Sequence, residues 1–196
     1  MIALRDAVFA SMRVAVLMWL IVVPGAVGAA PAKAPARPPK LDAREQAFIA
    51  QATADDAMQI ALAQLAMSKS ANPKLRALAS SIVSDHAALN LQFARLAAAT
   101  HGSKGHGHGV PPANISAMKS HLQALQGDAF DQAFASMMVN EHRKIIAAYE
   151  VAAKTSADDR LRTIAARGLP VLQGHLDEAR ALMKDGSGAE KQVAGR

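Results

Sequence analysis

The chain has 196 residues and a formal net charge of +6, and 51% of its residues are apolar while only 4% are aromatic. This composition, without windows of alternating β-branched residues, indicates one alanine-rich helical domain. The chain has no cysteine, which excludes disulfides and a lipid anchor on an N-terminal cysteine. Its basic residues are spread out rather than clustered with aromatics, so we expect no nucleic-acid partner.

The N-terminus has the order of a secretory signal. Arg5 and Arg13 precede an unbroken apolar run at residues 14–23, and small residues follow up to Ala29 and Ala30. The run is shorter than the ~20 residues that a membrane span needs, so cleavage near Ala29 or Ala30 is favoured over an uncleaved anchor. This pattern predicts a periplasmic or secreted bacterial protein with no stable membrane span after cleavage.

The sequence divides into four segments. Residues 1–29 are the predicted signal peptide, and residues 30–40 are a proline-rich, basic linker. Residues 41–184 are predicted to form a four-helix bundle. Residues 185–196 lack apolar periodicity and are predicted to be a disordered tail.

Capping signals mark the first pair of helices. Asp42 with Glu45 reads as a capping box that opens a helix running to about Ser70. Asn72 before a proline opens a second helix, predicted to end near Thr100. Because the two helices are joined by so few residues, they should pack antiparallel.

A long connection separates this pair from the next. The glycine-rich stretch HGSKGHGHG at residues 101–109 predicts a loop, and Asn114 can cap a short helix within the crossover. A third helix follows from Gly127 to about Lys154. A second capping box, Ser156 with Asp159, predicts a fourth helix ending near Met183. The predicted elements are all helices, and their order corresponds to a ferritin-like antiparallel four-helix bundle with a long crossover that contains a short extra helix.

Three helices carry a histidine on an apolar stripe. His142 lies on the stripe of Met138 and Ile145 in the third helix, and His86 holds the same place in the second. His175 is the corresponding residue of the fourth helix. Buried imidazoles need a partner, and imidazole with carboxylate suits iron, zinc or copper. The predicted metal ligands are His86, His142, His175, Asp85, Glu141 and Asp55.

Several motifs resemble a known family. They are the Asn72 helix start, SIVSDH ending at His86, FDQAFASMMVNEH ending at His142, and LPVLQGH ending at His175. In this order they resemble a bacterial family of exported ferritin-like proteins, domain-of-unknown-function family 4142, over residues 43–182. The resemblance implies a ferritin-like fold and an envelope location, and this family has no established reaction.

One position differs from the pattern that the resemblance implies. Gln59 stands where such proteins tend to carry a glutamate in the first helix. A neutral amide is a poor bridging ligand, which disfavours a dinuclear iron centre, although Asp55 one turn earlier could compensate in part. The chain also has no Glu-x-x-His motif, the usual signature of di-iron bundles.

Two other interpretations remain open at this point. The buried histidines can serve structure alone, by bonding to carboxylates and fixing the helix register. Alternatively, His101, His106 and His108 of the glycine-rich loop can capture metal in a periplasmic buffer. No motif supports nucleophilic catalysis, so a non-enzymatic protein is favoured. An envelope protein or a second copy of the chain is the partner class consistent with these patterns.

Overall fold

A computed structural model describes residues 40–101 and 115–194, and every regular element within these ranges is a helix. The all-α prediction is therefore confirmed. Four long helices and one short helix follow each other in the order α1 (Ala43–Lys69), α2 (Pro73–His101), α3 (Ile115–Ala124), α4 (Gly127–Thr155) and α5 (Asp159–Ala194).

The four long helices form a bundle in which each packs against two others. α1 packs against α2 and α4, and α5 packs against α4 and α2. Phe48, early in α1, contacts Tyr149, late in α4, while Lys74 at the start of α2 pairs with Asp185 towards the end of α5. Neighbouring helices are thus antiparallel.

This arrangement makes α2 and α4 parallel, because α1 is antiparallel to both. The chain between them must therefore return along the length of the bundle, and α3 is the described part of that return. Lys69 at the end of α1 donates a hydrogen bond to the Gln123 carbonyl at the end of α3 (2.7 Å). The predicted four-helix bundle with a long crossover and a short extra helix is confirmed.

The predicted cap at the start of α1 is confirmed. Glu45 N–H donates to Asp42 Oδ1 (2.8 Å), and Asp42 N–H donates to Glu45 Oε2 (2.9 Å), which completes the capping box. The second Glu45 oxygen accepts a hydrogen bond from Asp158 N–H (2.8 Å), directly before α5. Glu45 therefore ties the starts of α1 and α5 together. Asn72 caps α2 as expected, accepting from the N–H of Leu75 at 3.3 Å.

The predicted capping box at Ser156 is wrong. Ser156 ends α4 instead, where its N–H donates to the Ala152 carbonyl (3.1 Å). Asp158 caps α5, because its Oδ1 accepts from the N–H of Leu161 (3.3 Å) and from that of Arg160 (2.8 Å). A carboxylate next to the first helical residue satisfies these N–H groups better than a hydroxyl two residues further back.

α5 is longer than predicted. The apolar pattern ends near Leu182, so the sequence predicted a frayed tail, yet the backbone is helical to Ala194. Once a helix is nucleated, each added residue gains a backbone hydrogen bond without needing an apolar partner. Pro170 lies inside this helix and does not end it.

The interior contains two apolar clusters. One includes Leu62, Ile82 and Phe134, and the other includes Phe93 and Tyr149. Along each helix the change from one cluster to the other falls at a polar residue. We call these four residues, which separate the clusters, the polar layer: Asp56, His86, His142 and His175.

Gly168 allows α5 to approach Tyr149 closely. A methyl group at Gly168 would lie 2.8 Å from Tyr149 Cε1, whereas one at Gly174 on the same helix would meet nothing within 4 Å. We expect Gly168→Ala to lower the free energy of unfolding by about 1–3 kcal/mol, because the buried ring must shift. Gly174→Ala, the matched control, should raise it by about 0.5–1 kcal/mol through helix propensity. Urea unfolding of both variants measures this, and equal effects would contradict the close packing.

The predicted signal peptide, the linker up to residue 39 and the body of the glycine-rich loop lie outside the described residues. Within the described residues, no helix combines the length and the apolar character that crossing a membrane requires.

Candidate metal centre

The three histidines of the polar layer meet in the middle of the bundle. His86, His142 and His175 come from α2, α4 and α5, and each is at most 3% exposed. One ring nitrogen from each lies within 4.8 Å of those of the other two. The sequence brings them together because each occupies a core position of its helix, between residues of the two apolar clusters.

His86 is held by a carboxylate of α1. Its Nδ1–H donates to Asp56 Oδ1 at 2.7 Å, and both side chains are fully buried. Its other nitrogen, Nε2, is also buried and has no hydrogen-bond partner among the described residues. The same holds for the second oxygen of Asp56. Buried polar atoms without partners are rare, so this pair has unused binding capacity.

His142 is held by its own helix. Its Nδ1–H donates to the Met138 carbonyl one turn earlier, at 3.0 Å. The other nitrogen, Nε2, faces Nδ1 of His175 at 3.3 Å. The proton of His142 is therefore on Nδ1, and its Nε2 presents a lone pair to the centre of the cluster.

His175 is held by α2. Its Nε2–H donates to Asp85 Oδ2 at 3.0 Å, and the Asp85 side chain is 40% exposed. In the neutral tautomer with this bond, Nδ1 carries a lone pair directed at His142. All three rings thus have one nitrogen anchored by a carboxylate or a carbonyl, which leaves the lone pair of the other nitrogen for a ligand.

Burial keeps the imidazoles of His142 and His175 neutral. Loss of hydration, followed by the charges of His86 and His175, lowers the pKa of His142 to about 3, against the opposing hydrogen bond to the Met138 carbonyl. Burial and the charge of His86 also lower the pKa of His175, against the opposing effect of Asp85. Burial raises the pKa of Asp56, and its hydrogen bond to His86 opposes that shift.

These shifts predict that the metal-free protein loses stability in mild acid. The unfolded chain binds a proton at His142 below about pH 6.5, while the folded chain resists protonation down to about pH 3. We therefore expect the free energy of unfolding to fall by about 2 kcal/mol between pH 7 and pH 5 because of His142. Urea unfolding in chelator at both pH values measures the loss. The His142→Gln variant should lose less, and an equal loss in both proteins would contradict the assignment.

The structure separates the predicted carboxylates. Asp85 lies at the cluster through His175. Asp55 does not contact the described histidines by a hydrogen bond; it is half-buried and accepts one from Gln51 at 2.8 Å. Glu141 turns from the cluster towards α3; its side chain is 15% exposed and accepts a hydrogen bond from Lys144 at 2.8 Å. The side chains of His101, His106 and His108 lie outside the described residues.

Asp56 is the residue at the cluster that the sequence did not single out. The predicted ligand of α1 was Asp55, which lies on the same helix face as Ala52, and Ala52 has helical neighbours at both i+3 and i+4. Asp55 is the neighbour at i+3, and Asp56 is the neighbour at i+4. Asp56 also lies three residues before the fully buried Gln59, which places it on the buried face. Asp55 satisfies the same two spacings in the reverse order, so periodicity alone does not distinguish the two carboxylates.

The fold and the cluster together define a four-helix-bundle protein with three buried histidines at its centre. A family model described as "Domain of unknown function (DUF4142)" matches residues 30–182 of the chain. The protein belongs to this family, as its helix-start and histidine motifs predict. No curated protein and no solved structure matches the chain.

Proposed function

We propose that the protein binds one divalent transition-metal ion through His86, His142 and His175. The observation that carries this proposal is the set of anchored rings: each has its proton on the far nitrogen, held by Asp56, the Met138 carbonyl or Asp85. Metal-binding histidines have this arrangement almost without exception, because the outer partner fixes the tautomer and orients the ring.

The central nitrogens need a cation between them. His142 Nε2 and His175 Nδ1 present lone pairs to each other at 3.3 Å, and His86 Nε2 is buried with no partner in the part of the chain that the structure describes. Two nitrogens bound to one tetrahedral zinc ion at ~2.0–2.1 Å lie about 3.3 Å apart. The three ring nitrogens lie within 4.8 Å of one another, so they must draw together for one ion to satisfy all three. The lowered pKa values keep His142 and His175 in the neutral form that binds metal.

The donor set favours a single zinc, copper or iron ion. Imidazole suits all three metals, and the chain offers no thiolate. A dinuclear centre would need bridging carboxylates, but Asp56 and Asp85 are engaged with histidine and Gln59 is an amide. Zinc is the simplest probe because it is redox-inert.

Three nitrogen ligands leave a tetrahedral ion one open position. Two buried side chains of α1 are available to occupy this open position or to hydrogen-bond a water bound at it. Asp56 Oδ2 and both amide atoms of Gln59 have no hydrogen-bond partner among the described residues. We assign them this supporting role, and we assign no reaction to the site.

We also propose that this binding takes place in the bacterial envelope. The support is the order of charged, apolar and small residues at the N-terminus, together with the absence of cysteine. N-terminal sequencing of protein recovered from a periplasmic extract tests it. A mature start near Ala29 or Ala30 is expected, whereas recovery of an intact Met1 in the cytoplasm would overturn it.

Equilibrium zinc binding to protein purified without a histidine tag tests the metal site. The variant is His175→Gln, and the matched control is His121→Gln, which removes an exposed histidine of α3. We expect one zinc ion per chain in the wild type and the control, and at least tenfold weaker binding in His175→Gln.

The other outcomes separate the alternatives. Equal zinc affinity in His175→Gln and the wild type would overturn the proposal. Loss of zinc only when His101, His106 and His108 are replaced by serine would assign binding to the loop. No zinc in any protein would leave the polar layer with a structural role alone.

A further inference from the structure

A second candidate site lies on the outer side of α4, away from the histidine cluster. A groove of about 330 Å³ runs between α3 and α4. Its lining includes two methionines, one imidazole, one amide and one carboxylate, contributed by Met118, His121, Met137, Asn140 and Glu141. Neither the zinc proposal nor the family match assigns a role to these residues.

Helical spacing is consistent with these side chains lining one groove. Met118 and His121 are three residues apart on α3, and Met137 and Glu141 are four apart on α4, so each pair shares one helix face. Adjacent residues of a helix point about 100° apart. Glu141 therefore faces the groove while His142, the next residue, faces the bundle centre.

The donor chemistry of the groove differs from that of the buried cluster. Thioether sulfur is a soft ligand that selects copper(I), and imidazole also binds copper. The two methionines are half-buried: they line the groove and also pack against the core cluster that includes Leu62. Glu141 supplies a nearby negative charge, which it shares with Lys144 at 2.8 Å.

We infer that this groove binds a soft monovalent cation, copper(I), through Met118, Met137 and His121. The carboxylate of Glu141 offsets the charge of the ion without being a required ligand. Because the groove and the buried cluster share no ligand, the two sites can be tested separately. Failure of the zinc proposal would leave this inference standing, and its own failure would leave the zinc site untouched.

The test uses silver(I), a redox-stable substitute for copper(I), and the full-length protein labelled with ¹³C at the methionine methyl groups. The variant Met118→Leu/Met137→Leu keeps the side-chain volume and removes both sulfurs. The matched control is Met67→Leu/Met183→Leu, which changes two other half-buried methionines packed on the same core cluster. All proteins keep the histidine-containing loop, so its contribution cancels.

In the wild type, one equivalent of silver(I) should shift the methyl signals of Met118 and Met137 together. The Met118→Leu/Met137→Leu variant should bind silver at least tenfold more weakly, and the control should bind it like the wild type. Unchanged signals of these two methionines, or equal silver affinity in variant and wild type, would overturn the inference.

His121→Gln provides a second variant that does not alter the core, because His121 is exposed. It should weaken silver binding about tenfold and leave zinc binding unchanged. His175→Gln should give the reverse pattern, with silver retained and zinc lost. If the double leucine variant fails to fold, His121→Gln decides alone: unaltered silver affinity in it would overturn the inference.

Discussion

Zinc at a thousandfold excess over its dissociation constant is expected to raise the free energy of unfolding by about 4 kcal/mol. The reason is that the three ligands lie on three different helices and meet only in the folded bundle. The unfolded chain has no such site, so binding energy appears as folding energy. Urea unfolding with zinc and with chelator measures the difference.

The control for this experiment is His175→Gln at the same zinc concentration. Its unfolding free energy should be nearly the same with zinc as with chelator. A rise as large as that of the wild type would show that zinc stabilises the protein from another place, such as the loop histidines.

Removing the carboxylate of α1 should destabilise the metal-free bundle. In Asp56→Ala, both nitrogens of the fully buried His86 lack a partner. Breaking a buried pair in this way costs about 3 kcal/mol or more. The neighbouring variant Asp55→Ala is the matched control, and we expect it to stay within about 0.5 kcal/mol of the wild type because Asp55 is outside the cluster.

The double variant Asp56→Ala/His86→Leu tests the cause of that loss. Replacing both partners removes the unpaired polar group, so the double variant should be more stable than Asp56→Ala alone. Urea unfolding of the wild type, both single variants and the double variant gives the coupling energy. A double variant less stable than Asp56→Ala would show that the cost arises from lost packing instead.

The sequence predicted the helices well where a local signal marks their ends. The Asp42–Glu45 capping box and the Asn72 cap are satisfied by atoms within three residues, so they can be read without knowing the fold. The core histidines were predicted for a similar reason. A histidine between apolar residues at helical spacing can face only the interior.

The features that the sequence did not predict depend on contacts between distant residues. The choice between Asp55 and Asp56 is decided by where His86 of α2 lies, 30 residues away. The choice between Ser156 and Asp158 is decided at the junction with α1, where Glu45 holds the Asp158 N–H across 113 residues. Periodicity resolves a helix face but not a difference of one residue within it.

The end of α5 and the direction of the Glu141 side chain also could not be predicted from apolar periodicity. Apolar periodicity reports where a helix is packed, and the backbone of α5 stays helical beyond the apolar pattern. The adjacent pair of Glu141 and His142 was predicted to serve one interior, but the structure turns Glu141 to the groove with α3. The adjacent residues Glu141 and His142 of α4 thus point to the two different candidate metal sites.

The most direct test of the central proposal is X-ray absorption spectroscopy at the zinc edge of protein loaded with one equivalent of zinc. The proposal predicts three imidazole nitrogens at ~2.0–2.1 Å in a four-coordinate shell. The same measurement on His175→Gln should show fewer imidazoles or no retained zinc. A shell made only of oxygen ligands, or an identical imidazole count in the variant, would contradict binding by His86, His142 and His175.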